Sequence, residues 1–132
     1  MKEITIVTPL QDGLIARVSK VLGDAGINIE NLDAMDVKQF SMVTLTADRY
    51  NDALQSLRDA GFDALTEDVV LIHLKDEPGA LARVTQRLYE GGIHVRSIRI
   101  LHRQVGEAMV ALSMDRSQEA LALIQDLLVS NT

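Results

Sequence analysis

The 132-residue chain repeats itself. Displaced by 66 positions, Ile6 falls on Ile72, Gly13 on Gly79, Ala16 on Ala82, Arg17 on Arg83, Val18 on Val84, Leu22 on Leu88, Gly26 on Gly92 and Ile27 on Ile93. Both halves therefore carry G-x-x-A-R-V-x-x-x-L-x-x-x-G-I. Similar residues fill several gaps, as with Ile15 and Leu81, Ser19 and Thr85, Asp24 and Glu90, and Ile29 and Val95. Self-similarity at a fixed period marks a repeated structural unit. Towards the end of each copy the match slips by one, Leu54 falling on Leu121 and Leu57 on Ile124, which implies one inserted residue in the turn before the last helix. The sequence thus predicts two domains, 1–66 and 67–132.

Each copy reads as β-α-β-β-α-β. Ile4 to Thr8 is β-branched and half alternating, hence a strand. Pro9 to Gly13 is a turn, in which Asp12 is placed to cap the following helix. Leu14, Val18, Val21, Leu22 and Ala25 recur at helical spacing, and Gly26 ends that stripe. Ile27 and Ile29 open a second strand. The apolar phase then moves to Leu32 and Ala34, and in the second copy from Ile93 and Val95 to Ile98 and Ile100, as a β-bulge would require. Ser41 to Ala47 and Glu107 to Ser113 are third strands. Tyr50, Ala53, Leu54, Leu57 and Ala60 form a second helical stripe closed by Gly61, matched by Ala120, Leu121, Ile124, Leu127 and Leu128. Phe62 to Thr66 adds a short fourth strand. The second copy, with only Val129 to Thr132 after its last helix, has a fourth strand that is short or missing. The fold class is α+β: a ferredoxin-like βαββαβ sandwich in two tandem copies.

Composition limits what such copies do alone. Apolar residues make up 47% of the chain but aromatics only 3%, and there is no cysteine. About 66 residues with no covalent staple give a marginal core. Only Glu67 and Asp68 separate Thr66 from the strand Val69 to Leu74, so the copies are expected to pack as an internal pseudo-dimer. The absence of cysteine excludes disulfides and thiolate metal sites. His73, His94 and His102 share no metal-ligand spacing, and no cofactor or metal is expected. A net charge of −6 argues against nucleic-acid and anionic-membrane partners. With neither a signal-like start nor a spanning apolar run, the expected location is cytoplasmic.

The segment Asp76-Glu77-Pro78-Gly79-Ala80-Leu81, followed by Gly92-Ile93-His94-Val95, resembles the opening signature of the ACT domain family, D-x-P-G-x-L and then G-I-N-I or G-I-N-V. The first copy matches as Asp12-Gly13-Leu14 and Gly26-Ile27-Asn28-Ile29, without the proline. The second copy has His94 where the first has Asn28. The resemblance covers essentially the whole chain and is strongest to tandem ACT proteins that carry no enzyme domain. It implies paired ferredoxin-like modules, a non-catalytic regulatory and allosteric role, and binding of an amino acid or similar effector between modules. It also implies a homodimer and a regulated enzyme acting in trans.

The chemistry agrees with that signature. A helix N-terminus offers unpaired N–H groups and a partial positive charge to a carboxylate. Gly13 and Gly79 let backbone and ligand approach closely, and Pro78 suits a first helical turn. Asp12 and Asp76 are candidates for an ammonium group, and Asn28 both donates and accepts. The candidate ligand-binding residues are thus Asp12, Gly13, Leu14, Asn28, Ile29, Asp76, Pro78, Gly79, Ala80, His94 and Val95. Arg17 and Arg83, one turn into each helix, are within reach of an anion. Two other readings remain open: a dimerisation scaffold without ligand, and a small enzyme on a ferredoxin-like fold, for which no nucleophile with a positioned base is found.

Overall fold

A computed structural model describes residues 2–115 and 118–129. The chain divides into two compact units, Met1–Glu67 and Asp68–Thr132. In the first unit the order is β1 (Ile4–Pro9), α1 (Leu14–Asp24), β2 (Ile29–Val37), β3 (Phe40–Ala47), α2 (Tyr50–Asp59) and β4 (Ala64–Leu65). The four strands form one sheet in the order β2-β3-β1-β4, with every neighbouring pair antiparallel. The second unit repeats this as β5 (Val69–Lys75), α3 (Ala80–Glu90), β6 (Val95–Gln104), β7 (Glu107–Met114) and α4 (Gln118–Leu123), with a sheet ordered β5-β7-β6. Both units are α+β and ferredoxin-like.

Period-2 and period-3.6 patterns meet in one aliphatic core per unit. Ile4 and Ile6 of β1 and Val43 and Leu45 of β3 face the same way and receive Leu14, Val18 and Leu22 of α1 with Ala53 and Leu57 of α2. The second core uses the same positions: Val70, Ile72, Val110 and Leu112 under Ala80, Val84, Leu88 and Ala120. Fully burying an aliphatic side chain is worth about 1.5–3 kcal/mol, so these stripes hold both helices on one sheet face. The phase changes in the second strands are bulges: register shifts occur between Ile29 and Asn31 and between Val95 and Ser97. Gly26, at φ 73°, follows α1 as expected.

Four local expectations are corrected. Asp12 does not cap α1: the N-cap is Gly13, at φ 80°, and no side chain caps the helix. Pro78 is not in the first turn of α3, because Gly79 (φ 85°) is the N-cap and the helix starts at Ala80. The last helical stripe does not run to Leu128. Arg87 Nη1 donates to the Leu123 carbonyl at 3.0 Å and to Asp126 Oδ1 at 2.8 Å, closing α4 where a further turn would have used that carbonyl. A short 3-10 turn, Gln125–Leu127, follows. Leu128 then bridges to Ile72, and Val129 N–H donates to the Leu71 carbonyl at 3.0 Å. The fourth strand of this sheet is therefore reduced to one bridge. The one-residue insertion is not in the turn before the last helix: it is the irregularity in β6 between Ile100 and His102, because Val43 of β3 already corresponds to Val110 of β7, 67 residues on. The chain end beyond Val129 lies outside the described residues.

The β6–β7 hairpin turns through Val105 (φ 47°) and Gly106 (φ 77°). Two successive residues of positive φ suit the twist of a hairpin, but a β-branched residue resists this conformation. Val105 is 81% exposed, so its side chain gains little from packing. Val105→Asn is expected to stabilise the fold by about 1 kcal/mol, raising the thermal midpoint by a few degrees in a calorimetric scan.

Candidate functional site

In the first unit the left-handed Gly13 swings the chain from β1 onto the N-terminus of α1. The N–H groups of Leu14, Ile15 and Ala16 lie in the first helical turn, where no intrahelical acceptor exists. None of them meets an acceptor among the described residues; the first bond is Arg17 N–H to the Gly13 carbonyl at 3.0 Å. A Cβ on Gly13 would have nothing within 4 Å, so the backbone there is open to a ligand. The turn is pinned from behind. Leu10 N–H donates to the Gln39 carbonyl at 3.0 Å, and Gln11 N–H donates to the hydroxyl of the buried Ser41 at 3.2 Å. That hydroxyl is 3.0 Å from Asp36 Oδ1, to which it donates. The same serine thus fixes both the turn and a carboxylate at the end of β2.

A cleft of about 700 Å³ opens at this place. Gln11 to Ala16 line it from the turn and α1, Ala34, Met35 and Asp36 from β2, and Ser41, Met42 and Val43 from β3. It presents unpaired amides together with the Asp12 and Asp36 carboxylates, with apolar flanks between them. Arg17 does not reach into an anion site: its Nη1 donates to Gln11 Oε1 and its guanidinium lies 5.0 Å from the Phe62 ring centroid.

Asn28 and Ile29 are far from this turn within their own unit. Ile29 pairs with Ala47, whereas Val37 pairs with Phe40, which in turn pairs with Pro9 beside the turn. The nine residues of β2 separate the two places by about 25 Å. Asn28 is engaged locally, its N–H donating to Asp48 Oδ1 at 3.0 Å and its carbonyl accepting from Asp48 N–H at 3.1 Å. His94 and Val95 likewise stand at the start of β6, Val95 pairing with Met114, while β6 ends at Gln104 opposite Glu107, which also pairs with Lys75 before the second turn. Asp36 and Ser41 join the site without having been among the residues expected from the sequence. Neither belongs to the signature, and only the β2–β3 register brings them to the turn.

The second turn keeps the backbone and loses the opening. Ala80 N–H donates to the Glu77 carbonyl at 3.2 Å. Arg83 Nη2 pairs with Glu77 Oε1 at 3.0 Å, and Arg83 Nη1 would lie 3.3 Å from a Cβ on Gly79. Asp76 accepts from Arg103 Nε at 3.3 Å. The two aspartates also hold different places: Asp12 directly precedes its glycine, Asp76 stands three before. At the positions equivalent to Asp12, Asp36 and Ser41 the second unit has Pro78, Arg103 and Ala108, the last two paired with each other as Asp36 and Ser41 are.

The model of the ACT domain pair matches residues 1–125. The chain belongs to the ACT domain pair family. ACT domains are regulatory modules that bind small effectors. Solved structures similar to it include a Bacteroides thetaiotaomicron protein (22% identity over 97% of this chain and 90% of that one, TM-score 0.49). The regulatory subunits of aspartate kinase from Thermus thermophilus, in a ligand-free form, and from Thermus flavus are both 18% identical. They cover 95% of this chain, with 91% and 90% of theirs covered and TM-scores of 0.45 and 0.44. A search of curated protein sequences gave no match. Among the described residues no helix of the ACT pair is long and apolar enough to cross a membrane, and no cluster of three metal-ligating side chains occurs.

The strand-to-helix turn of the first ACT module depends on Gly13. An L-residue in the left-handed region costs about 1–2 kcal/mol, and here no clash adds to it. Gly13→Ala should therefore lower the unfolding free energy measured by urea titration by an amount in that range, and Gly13→Asn by less, since asparagine tolerates this conformation.

Proposed function

We propose that this chain is a non-catalytic cytoplasmic regulator that binds a free amino acid at the Gly13 turn of its first ACT module. The observation that carries this reading is the juxtaposition of three unpaired helix N–H groups with two carboxylates around one cleft. The amides of Leu14 to Ala16 suit the α-carboxylate of a zwitterion. Asp12 and Asp36 suit its α-ammonium group. Ala34, Met35 and Ile15 leave an apolar wall for the side chain. The second module, its turn closed by Arg83 and Arg103, contributes to assembly and does not hold a second effector of this kind.

The separation of Gly13 from Asn28 supports a site at an interface between modules. Any ligand touching both a Gly13-type turn and a β2 or β6 start must draw them from two different modules. Effector binding would then favour one arrangement of modules over another, and the regulated enzyme, acting in trans, would read that arrangement. A ligand shifts such an equilibrium only by its differential affinity for the two states.

Calorimetric titration with each standard amino acid at up to millimolar concentration tests this. One class of amino acids should saturate a single site per chain. Asp12→Ala and Asp36→Asn should each weaken it by about tenfold or more, the loss of one charge-assisted contact, while Asp76→Ala leaves it unchanged. Absence of heat with all of them would refute the reading.

A further inference from the structure

We propose that the Asp12–Gly13 peptide is a site of spontaneous self-modification, where the chain converts Asp12 to isoaspartate through a cyclic imide and so disrupts the turn of its first module. The modification is independent of the effector reading and needs no bound amino acid. One residue pairing sets this peptide apart. No other aspartate or asparagine of the chain precedes a glycine.

The backbone nitrogen of Gly13 attacks the side-chain carboxyl carbon of Asp12. A C–N bond forms, and the carboxyl hydroxyl leaves with the amide proton as water. The product is a succinimide ring. Water then adds back. Opening at the side-chain carbonyl restores aspartate, and opening at the backbone carbonyl leaves the main chain running through the side chain. No oxidant or reductant takes part, and the final mass is unchanged. A glycine nitrogen suits this attack because no Cβ shields it.

Both reacting groups are accessible and disengaged. Asp12 and Gly13 are exposed and line the cleft of the first module. Among the described residues the Asp12 carboxylate caps no helix and meets no donor, and the Gly13 N–H meets no acceptor. A Cβ on Gly13 would find nothing within 4 Å, so the ring has room to form. Negative charge gathers on the carboxyl oxygens as the nitrogen attacks, and the unpaired N–H groups at the start of α1 favour it. The second module lacks these conditions. Pro78 stands in the place of Asp12, while Asp76 precedes Glu77 and accepts from Arg103 Nε at 3.3 Å.

Isoaspartate adds one carbon to the main chain between two anchored points. Ser41 holds Gln11 N–H on one side, and the buried Leu14 and Val18 fix α1 on the other. The added carbon displaces Gly13, and with it the bond from Arg17 N–H to the Gly13 carbonyl, the first of α1.

Ageing the full chain in neutral buffer over weeks, followed by tryptic mapping, tests the modification. The peptide of residues 3–17 should split into a second chromatographic peak of unchanged mass that an Asp-directed protease does not cut at Asp12. Asp12→Glu, which needs a larger ring, and Gly13→Ala, whose Cβ shields the nitrogen, should each give the isomer about tenfold or more slowly. In the purified isomer the Gln11 and Arg17 amides, both hydrogen-bonded in the intact turn, should exchange hydrogen faster than in fresh protein. A peptide that stays single on ageing, an Asp12→Glu chain that converts at the wild-type rate, or an isomer with unchanged exchange at both amides would each overturn the proposal. None of these readouts involves an amino acid ligand, so they stand apart from the calorimetric titration.

Discussion

The structure depends on how the chain leaves its first strand. At Gly13 the backbone takes a left-handed conformation and delivers α1 onto the sheet with its first turn at the edge of a cleft. Those first N–H groups have no intrahelical partner by construction. What the surrounding side chains do with them decides whether the turn binds or merely connects. In the first module Ser41 holds the turn from behind and leaves the helix end open. In the second, Glu77 and Arg83 occupy the corresponding space.

Duplication has thus preserved one backbone and separated two chemistries. The core positions correspond closely, Ile6 with Ile72 and Leu22 with Leu88, because each must fill the same space between sheet and helices. The residues around the turns and along the outer strands are under no such constraint. There Asp12, Asp36 and Ser41 of one module are replaced by Pro78, Arg103 and Ala108 in the other. One half has unpaired helix amides beside two carboxylates; the other has arginines, Arg83 and Arg103, paired with Glu77 and Asp76 at its turn.

Most of the fold could be read before the structure, since the 66-residue repeat, the helical stripes and the paired phase shifts each have one simple structural cause. The bulges follow from Leu32 and Ile98 changing phase together. What escaped was set by long-range pairing. Ser41 and Asp36 reach the Gly13 turn only because β2 and β3 pair in the register Asp36 to Ser41. The early end of α4 depends on Arg87, thirty-six residues from the carbonyl it binds. Asp12 offered a plausible cap by type, but a left-handed N-cap glycine already occupied that role. The signature marked both turns alike, while the closing of the second one depends on Arg83 and Arg103, whose positions relative to it no local pattern encodes.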